Sequence, residues 1–161
     1  MYNDNYNDLY IGANGKIKAP QNSANLFSQY VNCEEINNLK YLDTSNVKDM
    51  NAMFTDCISL TNLDISNFDT INATNMEKMF KSCRKLETIL LGQDFNKLNG
   101  TDMFADTPAL RKVISHSPTP LELGRDININ DSMLLYVVDE TGCEADPVYE
   151  DVFGTKDGTG D

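Results

Sequence analysis

Two hydrophobic periods alternate along the chain. Met50, Met53, Phe54 and Cys57 follow i, i+3, i+4, i+7, and Met76, Met79, Phe80 and Cys83 do the same. That spacing places four apolar side chains on one face of a helical turn or two. Thr74, three residues before Glu77, has the form of a capping box at the second of these helix starts. A different spacing, L-x-x-L-x-I, comes next: Leu60, Leu63 and Ile65, then Leu86, Ile89 and Leu91. Alternation predicts a strand, with Leu63 and Ile65 turned inward and Asp64 outward.

The two periods belong to one repeating unit. The positions from Met50 to Ile65 recur from Met76 to Leu91, at an offset of 26 (76 − 50). A third copy places Met103, Phe104, Leu110 and Val113 at an offset of 24 (103 − 79), with Gly100 and Thr107 in place of the first Met and the Cys. A degenerate copy precedes these. Leu26-Phe27 takes the Met-Phe place, and Cys33, Ile36 and Leu39 stand 24 positions before Cys57, Leu60 and Leu63. One such unit cannot bury its own apolar face, but stacked copies can. Stacking predicts strands side by side, helical pieces on the opposite wall, and Phe27, Phe54, Phe80 and Phe104 as an internal spine.

The connecting segments repeat as well, as DTSNVKDM from Asp43 and DTINATNM from Asp69. With LDTSNVKDMNAMF (42–54), CISLTNLDISNFDT (57–70) and NMEKMFKSCRKLETI (75–89), they closely resemble the BspA-like leucine-rich repeats of bacterial surface proteins. The flanks LYIGANGKIKAPQNSANLF (9–27), SPTPLELG (117–124), LLYVVDET (134–141) and EADPVYEDVF (144–153) resemble the entry and closing segments of such arrays. The resemblance implies an α/β leucine-rich-repeat solenoid at a cell or particle surface, acting in adhesion or partner binding. It carries no catalytic residues to transfer.

The expected organisation is an N-terminal cap with the degenerate first repeat over 1–41 and leucine-rich repeats over 42–116. A C-terminal cap over 117–153 and a flexible tail over 154–161 follow, giving about three full repeats between two caps. Leu9-Tyr10-Ile11 predicts an entry strand turned back at Gly12 and Asn14-Gly15, and Leu134 to Val138 an exit strand. Pro118, Pro120 and Gly124 mark a loop, and Pro147 to Phe153 a short closing helix.

Charge narrows the function classes. A net charge of −12 with a pI near 4.3 repels phosphate backbones and anionic lipid, which argues against nucleic acid as a partner. No apolar run approaches the ~20 residues of a membrane span, and MYNDNYNDLY lacks the basic and apolar regions of a signal peptide.

Little in the chain suggests chemistry. Cys33, Cys57, Cys83 and Cys143 lack C-x-x-C spacing. Stacked rungs would point the Cβ vectors of Cys57 and Cys83 the same way, a poor bridge geometry, so the apolar repeat position favours buried free thiols. His116, the one histidine, sits between Ser115 and Ser117 without a nucleophile elbow or a third partner. Asp157-Gly158-Thr159-Gly160-Asp161 lacks the ligand series of a calcium loop. Asp43 and Asp69 precede Thr at equivalent turns, where side-chain bonding to the backbone is expected before a cation site. No catalytic, cofactor or metal residues are therefore assigned.

The outward strand positions remain as the candidate surface: Lys40, Asp64, Leu90, Ile114 and Tyr136. Lys40 and Asp64 are expected to be cross-strand neighbours, beside an apolar stripe of Leu90, Ile114 and Tyr136. Such a stripe suits partner binding when exposed and is ordinary core when the closing segment covers it. The expected function is non-enzymatic recognition of a protein or glycan on a host or neighbouring surface, without membrane insertion. The alternative is a structural or receptor-facing component of a phage virion.

Overall fold

The computed structural model describes residues 7–12, 14–92, 95, 100–115 and 134–137. The chain winds as a β-solenoid of about four turns. Strands β1 (Asp8–Tyr10), β2 (Ile17–Lys18), β3 (Glu35–Asn37) and β4 (Leu42–Asp43) belong to its first windings. Strands β5 (Asn62–Ile65), β6 (Thr88–Leu91), β7 (Lys112–Ser115) and β8 (Leu134–Val137) follow, one per turn. All pairings are parallel: β1 with β3, β2 with β4, and β5-β6-β7-β8 as one four-stranded sheet. The expected entry and exit strands are thus present as β1 and β8.

The strand wall follows from the alternation. On β5, Leu63 and Ile65 are buried while Asn62 and Asp64 are exposed. In register beside Leu63 lie Ile89 and Val113, both fully buried. The expected aromatic spine also forms. Phe27 stacks on Phe54 at 5.2 Å between ring centroids, Phe54 on Phe80 at 5.8 Å, and Phe80 on Phe104 at 5.3 Å. These rings are nearly parallel, and Phe54, Phe80 and Phe104 are among the most deeply buried side chains.

The helical wall does not form, so the α/β leucine-rich-repeat expectation is corrected to a β-solenoid. Among the described residues the sole helical segment is a single 3-10 turn at Leu39–Tyr41. Where helices were expected the chain makes successive tight turns, with left-handed residues four apart: Asn25 and Gln29, Ala52 and Asp56, Lys78 and Ser82, Asp102 and Asp106. In rung two the N–H groups of Met50, Ala52, Phe54 and Asp56 donate to the carbonyls of Asn75, Glu77, Met79 and Lys81, at 2.8–2.9 Å. Alternate amides close the turns themselves, as Met53 to Met50 and Cys57 to Phe54.

Spacing explains the outcome. Packed helices stand about 8–10 Å apart, whereas strands stand about 4.8 Å apart. The stacked rings, at 5.2–5.8 Å, follow the strand spacing. A wall of turns bonded rung to rung keeps pace with the sheet. A wall of helices would force the array to splay. The i, i+3, i+4, i+7 pattern persists because repeated turns also bring every third or fourth side chain inward. The capping box fails with the helix: Thr74 Oγ1 donates to the Lys48 carbonyl of the preceding rung (3.1 Å), and the Glu77 N–H donates to Asn75 Oδ1 (3.1 Å).

Polar side chains tie the corners. Asn22, Asp43, Asp49, Asp64, Asp69 and Asn75 each accept, through Oδ1, the N–H of the residue two positions on, at 2.9–3.1 Å. This accounts for the Asn and Asp recurring at turns. Buried Thr44 bridges rungs through Oγ1, donating to the Asp69 carbonyl (3.1 Å) and accepting the Asp69 N–H (2.9 Å). Asn67 Nδ2 reaches back to the carbonyls of Leu39 (3.0 Å) and Leu42 (3.2 Å). At the end of β6 the chain passes so close to the 66–68 corner that a Cβ on Gly92 would lie 2.5 Å from the Phe68 carbonyl oxygen. Glycine is required there for approach rather than for conformation.

Candidate functional site

Register across the strand wall gives two rows beside the buried columns: Asn62, Thr88, Lys112 and Leu134 in one, and Asp64, Leu90, Ile114 and Tyr136 in the other. Four of the five expected surface residues therefore stand in one row, in register across the sheet. Asp64 is exposed, and Leu90 and Ile114 are half-buried. The side chain of Tyr136 lies outside the described residues, although its backbone pairs with that of Ile114. The row runs from an acidic residue to aliphatic ones, beside a polar row carrying Lys112.

Lys40 does not join this row. It lies in the 3-10 turn at Leu39–Tyr41, with its Nζ 5.3 Å from the centroid of the Tyr41 ring. The cause is the register of the first repeat. The Thr61 N–H donates to the Glu34 carbonyl, as the Glu87 N–H donates to Thr61 and the Arg111 N–H to Glu87. Residue 34 thus stacks on 61, an offset of 27, and Phe27 stacks on Phe54 at the same offset. The neighbour of Asp64 is then Asn37, and Cys33 takes the place of Leu60 rather than Cys57. Asn37 was missed because Cys33 imitates a landmark it does not occupy. The interval of 27 between Phe27 and Phe54 (54 − 27), rather than that of 24 between Cys33 and Cys57 (57 − 33), was the signal that could have found it. Asp64 is in any case engaged locally, accepting the Ser66 N–H at 3.0 Å.

Cys33, Cys57 and Cys83 are buried free thiols, as the apolar repeat position suggested. Cys57 Sγ donates to the Phe27 carbonyl (3.0 Å) and Cys83 Sγ to the Phe54 carbonyl (3.1 Å). Burial pushes the Cys57 thiol up to about 12. It pushes those of Cys83 and Cys33 up as well. Such thiols are poor nucleophiles. The Asp43 carboxyl is held below its ordinary range by hydrogen bonds from the Ser45 hydroxyl and N–H. That carboxylate serves its turn, as expected. Among the described residues no three His, Cys, Asp or Glu side chains converge to hold a metal ion, and no helix is long and apolar enough to cross a membrane. His116, Cys143 and Asp157 to Asp161 lie outside the described residues, as do the loop, closing helix and tail expected over 117–133 and 138–161.

Residues 16–117 match the family model described as Mycoplasma protein of unknown function, DUF285. The chain belongs to the DUF285 family. The matched segment runs from β2 through β7, so the DUF285 region coincides with the stacked rungs and their strand wall. No curated protein and no solved structure matches this DUF285 chain.

Proposed function

We propose that this DUF285 solenoid is a non-enzymatic recognition module that holds a protein or glycan of a neighbouring surface against its strand wall. The observation carrying this reading is the in-register row Asp64, Leu90, Ile114 and Tyr136 on a continuous parallel sheet. A surface held by rung-to-rung hydrogen bonds is rigid, so a partner meets it with little ordering cost. The half-buried Leu90 and Ile114 supply the apolar centre that such contacts need, within a polar surround. The kinship that fits best is with BspA-like surface repeats, on the strength of the LDTSNVKDMNAMF and NMEKMFKSCRKLETI segments, and the expected setting is a cell surface or the extracellular space.

The test is a glycan array together with binding of labelled protein to intact cells, comparing wild type with Leu90→Glu and Ile114→Glu. The expected result is saturable binding that falls at least about tenfold in the variants, while thermal unfolding stays cooperative. Binding unaltered by both substitutions in folded protein would reject the strand wall as the recognition surface.

A further inference from the structure

The hydrogen-bond ladder of the turn wall has a direction. Across the turns themselves the earlier rung gives the N–H and the later rung the carbonyl, as Phe27 to Met53, Phe54 to Met79, and Phe80 to Met103 (2.8–2.9 Å), whereas at the corner before them the sense reverses, Asp49 donating to Gln21 and Asn75 to Lys48. The residues flanking each of these follow the same sense, as Asn25 to Asn51 and Gln29 to Thr55. The first rung therefore has its donors spent and its outward acceptors left over. The carbonyls of Ala24, Leu26 and Ser28 correspond to those of Asn51, Met53 and Thr55, all of which are bonded. Among the described residues none of the three accepts a hydrogen bond. Among the described residues the entry segment pairs at this end through β1, on β3, and β2, on β4, and none of them bonds to the turn wall's outward carbonyls. In the same rung Leu26 is 37% and Val31 42% exposed, large apolar side chains that face solvent.

An unpaired backbone edge is a template for another chain, and this one is selective. A strand edge offers donors and acceptors alternately, whereas these three positions offer acceptors alone. Their complement is a run of N–H groups two residues apart, thrown to one side by left-handed residues four apart. The later-facing side of the fourth rung has that form: Asp102 and Asp106 are left-handed, and the N–H groups of Asp102, Phe104 and Asp106 donate to no described residue. We propose that the N-terminal edge of the turn wall is a self-association surface, on which a rung of a second copy of this chain stacks head to tail. Because the two edges differ, the contact is heterologous and adds copies along the solenoid axis rather than closing a dimer. Each copy carries a net charge of −12, so repulsion opposes stacking and added salt strengthens it.

Sedimentation velocity of the 161-residue chain, from micromolar to millimolar concentration, is expected to show growth beyond a monomer that increases with sodium chloride. Leu26→Glu with Val31→Glu, both at exposed positions, is expected to weaken that growth about tenfold at an unchanged unfolding temperature. A second reading needs no variant. The carbonyl carbon resonances of Ala24, Leu26 and Ser28 are expected to shift with concentration, while that of Met53, already bonded, stays in place. A monomer at every concentration and salt would overturn the proposal, and so would growth that leaves those three carbonyl resonances unmoved.

Discussion

At the scale of single residues, the thiol column joins packing to ionisation. Cys57 and Cys83 sit where the turn wall meets the core, and each gives its S–H to a carbonyl of the preceding rung. In the fourth rung Thr107 takes the same place and donates to the Phe104 carbonyl at 2.6 Å. The position thus selects a small side chain with one donor. Both thiols have folded pKa values raised by burial, that of Cys57 to about 12 from an ordinary 9.0. In the unfolded chain they ionise near the ordinary value. Their contribution to stability is therefore complete below about pH 9 and is lost as pH climbs from there toward 12. The unfolding temperature, followed from neutral pH to about pH 11, should fall. The fall should be shallower in Cys57→Ala with Cys83→Ala, which starts lower but has no thiol to ionise. Parallel curves for the two proteins would show that the thiols carry none of the alkaline loss.

At the scale of elements, the turn wall differs from a helix in a way one exposed residue can report. Lys78 has φ 56° and faces solvent. In a helix, glycine costs about 1 kcal/mol against alanine and valine about half as much. In a left-handed turn the order reverses. Glycine is free of the Cβ clash, worth about 1–2 kcal/mol, while a β-branched side chain is the least tolerated there. Lys78→Gly should therefore leave stability within about 0.5 kcal/mol of wild type, the strain relief offsetting the added freedom of the unfolded chain. Lys78→Val should lose about 1–2 kcal/mol. Denaturant midpoints with equal slopes settle the order, and a valine variant more stable than the glycine variant would be the signature of a helix. This is also where the sequence was least legible. The strands, the phenylalanine spine and the row through Asp64, Leu90 and Ile114 could be read from period and offset alone, because a sheet fixes which side chains face inward. The turn wall could not, since helices and serial turns both return an apolar residue every third or fourth place. The signs against a helix lay in the polar positions. Among the described residues, Asn25, Asn38, Asp56, Asp102 and Asp106 are five of the nine non-glycine residues with positive φ, and these are the side chains that tolerate left-handed backbone.

At the scale of the whole molecule, each rung touches only its neighbours, so stability should be a sum of rung terms and nearest-neighbour interface terms. The aromatic spine tests this directly. Phe54 and Phe80 stack at 5.8 Å, whereas Phe27 and Phe104 are separated by both of them. All four rings are buried, and each Phe→Ala change should cost about 3–5 kcal/mol. Conservative Phe→Leu changes suit the cycles better, since they remove the stacking while keeping most of the volume. Phe54→Leu with Phe80→Leu should be non-additive by about 0.5–1.5 kcal/mol, the worth of an aromatic pair beyond its buried area. Phe27→Leu with Phe104→Leu should add to within about 0.3–0.5 kcal/mol. The contrast between the two cycles carries the argument, because a globular core relaxing as one body would couple both pairs. Equal coupling in the two cycles would mean that the stack is not one-dimensional. The strand wall and the open turn edge would then have to be treated as one coupled surface rather than as separate faces.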